Sequence, residues 1–180
     1  LLTYTRSDNY GTRILRQQLD FSDMSAPVFG TPSSVSKLGL NTGDASSVIL
    51  FNSDFMVDRQ RGLVYIVRPR RTSPGVNAGD VVEEELQVAY MSRTDFLTKT
   101  NGVWTVLNNL GATQTGKDRN HNAGFLRDPY GALPDQNSLT LVYCGSNVGD
   151  LWSYRLFEIQ AALTDPATAN TDNFAKPYTP

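Results

Sequence analysis

The stretch "NSDFMVD" that begins at Asn52 returns seventy positions later as "NAGFLRD", beginning at Asn122. A turn-rich spacer follows each copy, "RQRG" in the first and "PYGALPDQNS" in the second. Then comes the same tripeptide, Leu63-Val64-Tyr65 and Leu141-Val142-Tyr143, with a shorter echo at Leu2-Thr3-Tyr4. Internal repetition constrains a fold more than any local propensity does. Each unit has to be one supersecondary piece that buries its apolar face against a neighbour.

The units are built of strands. "VILFNSDFMV", "GLVYIVR", "EELQVAYMSR", "GVWTVL", "SLTLVYC" and "DLWSYRLFEI" are short, rich in β-branched and aromatic residues, and several alternate apolar with polar. Clusters of Gly, Asn, Asp and Pro separate them, as in "DRQRG", "TKTNG" and "GSNVGD". No segment carries a helical stripe over three turns. "RILRQQLDF" comes nearest, and its place after a Leu-x-Tyr copy reads as a strand. The expectation is an all-β chain.

The best-preserved unit has four strands joined up and down: A over Val48–Val57, B over Leu63–Arg68, C over Glu84–Arg93 and D over Val103–Leu107. A four-stranded meander repeated every roughly 60 to 80 residues reads as a β-propeller blade. The blade parts fall at 1–47, 48–117 and 118–163, about two and a half blades. That is too few to close a ring of the usual size, so the remaining blades come from the same protein or from other copies of the chain. A β-sandwich is the alternative, since short strands with regular turns suit it as well. In the repeated phrase, Phe55 with Met56 and Phe125 with Leu126 are expected to fill equivalent slots between blades. Asp58 and Asp128 are expected to open the A–B turns by accepting backbone N–H bonds. Gly62 and Gly131 suit a positive φ.

Composition narrows the partners. Of 180 residues, 16 are Lys or Arg and 18 Asp or Glu, a net charge of -2, which disfavours a nucleic-acid binder. "RPRR" at Arg68–Arg71 is the one basic cluster and reads as a solvated hairpin end. No apolar run is long enough for a transmembrane helix, and no membrane insertion is expected. The single cysteine, Cys144, leaves no intrachain disulfide and no cysteine metal site, and it reads as a small core residue. The abrupt start "LLTYT" reads as a mature or excised piece of something longer. Residues 164–180, with their Pro, Thr and Ala, read as a polar linker or terminal tail.

"MSRTDFLTKTNGVWTVL" resembles a degenerate Asp-box of sialidase-like propellers, with Ser92, Asp95, Gly102 and Trp104 at the matching positions and extra residues between Asp95 and Gly102. "NHNAGFLRDP", and "VILFNSDFMVD" one unit earlier, are similar to inner-strand openings of carbohydrate-active propellers, including arabinanase-type glycosidases and BNR-repeat proteins. The resemblance implies an extracellular or secreted protein with a carbohydrate ligand. It makes Asp54 a candidate catalytic base.

In such a fold the starts of the A strands converge on a central pocket. That places Asn52 and Asp54 from one blade beside Asn120, His121 and Asn122 from the next. A glycosidase needs two carboxylates across the scissile bond. Asp54 is one, its counterpart in the next blade is Gly124, and the second carboxylate is unassigned. His121 reads either as a proton shuttle and sugar contact or as a turn residue; without companions at ligand spacing it makes no zinc site. Trp152, sharing a strand face with Tyr154, is a candidate sugar platform, with inter-blade packing as the plainer role. Glu83, Glu84 and Glu85 read as a solvated edge. No cofactor motif, phosphate loop or nucleophile elbow is present. Three readings stay open: a glycan-processing enzyme, a lectin- or adhesin-like binding module, and a structural assembly protein.

Overall fold

Strand "LVYIV" is apolar at every position, and the fold buries it on both faces. In the computed structural model it is the first part of β7 (Leu63–Arg71), which pairs with β6 (Asp54–Asp58) on one side and β8 (Glu84–Ser92) on the other. β9 (Thr105–Leu110) pairs with the far edge of β8. These four strands form an antiparallel meander in the order expected from the sequence; β7 and β8 start where B and C were expected, β6 begins at Asp54 with residues 48–52 of the expected A strand outside the described residues, and β9 runs three residues beyond the expected end of D. The structure describes residues 2–8, 11–17, 19–20, 22–26, 28–31, 33–34, 53–71, 84–98, 104–128, 138–147, 155–162 and 174–175. Gly131, Asn52, Trp152 and Tyr154 lie outside them.

A second meander follows. β10 (Arg119–Phe125), β11 (Ser138–Ser146), β12 (Arg155–Ala162) and β13 (Phe174–Ala175) pair antiparallel in chain order. β13 lies within residues 164–180, the stretch read as a polar linker or terminal tail. Phe174 and Ala175 are apolar enough to close the open edge of β12, pairing with Ala161 and Gln160. Near the start of the chain, β1 (Leu2–Asp8), β2 (Gly11–Gln17) and β5 (Ser33–Ser34) form a three-stranded sheet. β3 (Leu19–Asp20) and β4 (Val28–Phe29) form a separate hairpin. "RILRQQL" is thus largely strand.

The two meanders are one mixed sheet. A single parallel bridge, Arg119 to Glu84, joins β10 to β8. From there β10 runs across the first meander, passing β7 and ending against β6, so the sheet curls into a nearly closed barrel-like form. A bulge between His121 and Gly124 accompanies the turn of this strand, with Asn122 at φ 51. All-β is therefore the architecture. The enclosed core takes Met56, Tyr65, Val67, Leu86, Val88 and Leu110 from the first meander and Ala123, Phe125, Leu139, Leu141 and Tyr143 from the second. Burying side chains of this size contributes on the order of 1.5–3 kcal/mol each before conformational entropy is subtracted. The opposite face of the first meander holds Val64, Ile66, Ala89, Met91, Phe96 and Trp104.

The repeated phrase is only partly a repeated structure. Met56 is buried in the shared core at 1% exposure, whereas Leu126 is 48% exposed. Phe125 faces the shared core and Phe55 the opposite one. Tyr65 and Tyr143 enter the same core from different meanders. The B strands thus keep one sense of facing and the A strands do not, because the spacer to Leu141 is longer and changes the register: Phe55 pairs with Ile66, Phe125 with Leu141.

Local chemistry sets the turns. Asp58 is buried and accepts the Arg61 N–H at 3.0 Å and its guanidinium at 2.9 Å, and Gly62 closes the turn at φ 66. The Ser92–Thr98 stretch, read as a box-like turn, contains helix α1 (Arg93–Thr98) instead. Ser92 Oγ accepts the Asp95 N–H at 3.0 Å, an N-cap, which is what Ser three residues before Asp provides. Trp104 packs with Phe55 and Phe96, ring centres 6.2 and 6.0 Å away. A short helix α2 (Ala112–Thr115), closed by Gly116 at φ 69, turns the chain from β9 towards β10.

Candidate functional site

The starts of β6 and β10 were expected to converge, but Asp54, at the start of β6, meets the end of β10 at Gly124 and Phe125 instead. Asp54 opens β6, half-buried, with its side chain turned to the second meander. Its Oδ2 accepts the Phe125 N–H at 2.8 Å. Its Oδ1 pairs with the Arg127 guanidinium, which also donates to the Phe55 carbonyl at 2.7 Å. Gly124, the counterpart of Asp54 in the repeat, lies directly against it: a Cβ there would stand 3.5 Å from Asp54 Oδ2. Both carboxylate oxygens are therefore engaged in joining the two meanders.

Asn120 is buried and also joins segments. Its Nδ2 donates to the Glu84 carbonyl at 3.0 Å and the Lys117 carbonyl at 2.8 Å. With Glu84 N–H donating to the Asp118 carbonyl at 3.0 Å, this pins the β9–β10 connection to the start of β8. Glu84 and Glu85 are half-buried there rather than a free edge; Glu83 is outside the described residues. Asn122 is exposed at the bulge. Its left-handed backbone is one that Asn tolerates better than most residues. His121 lies in β10 opposite Cys144 of β11. Asn52 and Trp152 cannot be placed in the site, since both fall outside the described residues.

A buried polar ladder crosses the other face. Arg68, the first residue of "RPRR", is buried rather than solvated: its Nε donates to Gln87 Oε1 at 2.8 Å, and Gln87 Nε2 donates to Asn109 Oδ1 at 3.1 Å. The bond to Gln87 offsets part of the cost of burying this guanidinium. Burial raises the Tyr65 hydroxyl far above its ordinary range, with Asp58 adding to the effect, and pushes Tyr143 up to about 12. Both phenols are neutral across the physiological range.

The arrangement offers one ion-paired carboxylate, several buried amides and an exposed bulge. Among the described residues there is no group of three or more His, Cys, Asp or Glu that could hold a metal ion, and no helix long and apolar enough to cross a membrane. Sequence reasoning missed Arg127 as the partner of Asp54. The signal was present in "GFLRDP", where a cation follows the strand that has lost the repeated acid. Comparison with family models, curated proteins and solved structures gave no match.

Proposed function

We propose that the chain is a non-catalytic, glycan-recognising module of an extracellular protein, and that its meanders are propeller-type blades completed by further blades. The observation that carries the non-catalytic part is the Asp54 carboxylate. A general base needs a lone pair free to take a proton from water or sugar. Here one oxygen accepts a backbone N–H and the other a guanidinium. Asp54 acts as a bolt between meanders, and the glycosidase reading loses its one assigned carboxylate.

The completion by further blades rests on the repeat itself and on Leu126, an apolar side chain left 48% exposed beyond the end of β10. The glycan part rests on the resemblance of the two strand openings to carbohydrate-active propellers, and on the exposure of Asn122 at the bulge of β10. Sugar recognition without catalysis predicts glycan-array binding that Asn122→Ala weakens about tenfold, with no release of reducing ends from any bound glycan. Hydrolysis abolished by Asp54→Asn in a chain of unchanged stability would overturn the reading. Absence of binding across plant, microbial and animal glycans would favour the assembly role instead.

A further inference from the structure

Among the described residues the hairpin β3–β4 pairs with no third strand. A two-stranded hairpin is at best marginally stable by itself and needs something to pack against. This one also carries the most exposed large apolar side chains among the described residues: Met24 at 79%, Val28 at 63% and Phe29 at 56%. Val28 and Phe29 are consecutive in β4, so they point to opposite faces, and both faces are apolar. The hairpin is acidic as well. Asp20 and Asp23 are exposed. The Ser22 N–H bonded to Asp20, and the Ser25 hydroxyl and N–H bonded to Asp23, hold both carboxyls below the usual carboxylate range. Those bonds engage only Oδ1 of each.

The first meander exposes the opposite chemistry. The Arg93 N–H donates to the Gly62 carbonyl at 2.7 Å, which sets the start of α1 beside the β6–β7 turn that carries Arg59. Asp58, Leu63 and Ser92 are in register across three strands. Arg59 and Arg93, each one residue further on, are therefore about two strand spacings apart at the backbone, on the order of 10 Å. Both are exposed, and neither guanidinium has an ion-pair partner among the described residues, whereas Arg61 is held by Asp58 and Arg127 by Asp54. Asp95, the acid of α1, is half-buried with contacts of its own. Leu97, one helical turn after Arg93, and Val106, opposite Ala89 on β9, are each nearly half exposed beside the cluster that holds Phe96.

We propose that the β3–β4 hairpin of one copy of this chain docks on the α1–β9 surface of a second copy, with Met24, Val28 and Phe29 meeting Leu97 and Val106, and Asp20 and Asp23 meeting Arg59 and Arg93. Charge complementarity selects this surface over the exposed Leu126, whose neighbouring cation is already held by Asp54. The contact joins two different surfaces and is heterologous. Each added copy leaves one hairpin and one surface open, so association continues until a ring closes or a filament grows. The inference stands apart from the glycan reading, since it uses neither Asn122 nor Asp54.

The test is sedimentation velocity of the full chain between ~1 and ~500 µM. The mass is expected to rise past that of a dimer with concentration, and 0.5 M salt to weaken association about threefold or more. Phe29→Asp spoils the hairpin and leaves the surface; Leu97→Asp does the reverse. Each is expected to lose at least about a hundredfold in affinity and to stay monomeric. Mixed one to one, they should form a dimer and nothing larger, because a single productive contact remains between them. Circular dichroism checks that each variant folds. Should an apolar variant misfold, Asp23→Lys and Arg93→Glu are the second pair, each weakening association about tenfold and each leaving the apolar residues in place. A native chain that stays monomeric over the range, an association that both variants leave intact, or a mixture that stays monomeric would overturn the proposal.

Discussion

Removing the Asp54 carboxylate tests the bolt directly. Asp54→Ala deletes the acceptor for the Phe125 N–H and the partner of Arg127. Phe125 is buried, so its N–H loses its partner where water replaces it poorly. A hydrogen bond to a charged group contributes about 1.5–3 kcal/mol. The ion pair adds less: the side chains of Arg127 and Asp54 are 33% and 26% exposed, and water screens them, so about 0.2–1 kcal/mol is apt. The expected loss is therefore about 2–4 kcal/mol. At about 2–4 °C per kcal/mol for a domain of this size, Tm falls by about 4–16 °C. Arg127→Ala should cost only the smaller share, and 0.5 M salt should reduce its effect. Urea titrations at fixed pH measure both, and a double-mutant cycle isolates the pair. An Asp54→Ala chain within about 0.5 kcal/mol of the native one would refute the argument that the carboxylate joins the meanders.

Other outcomes follow from the same contacts. Asn120→Ala removes two hydrogen bonds to backbone carbonyls and should cost about 2 kcal/mol, read as a lower urea midpoint. Gly62→Ala meets no atom within 4 Å, so its cost is backbone strain alone at φ 66, about 1–2 kcal/mol by thermal unfolding. Tyr65 and Tyr143 have raised folded-state values, so their stabilisation is complete below the ordinary tyrosine value near 10 and is lost as pH climbs through about 12. Phenolate absorbance should show these two ionising only together with unfolding. Asn122→Gly should leave stability within about 0.5 kcal/mol, since Gly adopts the same positive φ freely.

How far the sequence could be read depended on the range of the forces involved. The strands of the first meander were legible because "LVYIV" and "ELQVAYM" are apolar over the length of a strand and Asp58 and Gly62 mark the turn between β6 and β7. Helix α1 was missed because its six residues are too short for a stripe, although Ser92 and Asp95 carry a capping signal. β13 was missed because two residues have no periodicity; only the open edge of β12 makes them a strand. Asp54 was expected beside the start of β10, yet it meets the end of that strand, and its role as a partner of Arg127 was not foreseen. A carboxylate is written identically whether it serves water or a guanidinium, and Arg127 is 73 residues away.

The diagonal course of β10 also bears on how the chain acquires its shape. The first meander can zip from local hairpins as soon as residues 54–110 exist, yet its inner face is covered only by residues 119–143, and the last edge is paired only at 174–175. Synthesis therefore leaves Tyr65, Val67 and Leu86 facing solvent while later strands are still being made. Closing such distant contacts is slow relative to hairpin formation. The interval before β10 lies down is when this chain is most exposed to wrong partners and to chaperones that bind apolar β-surface.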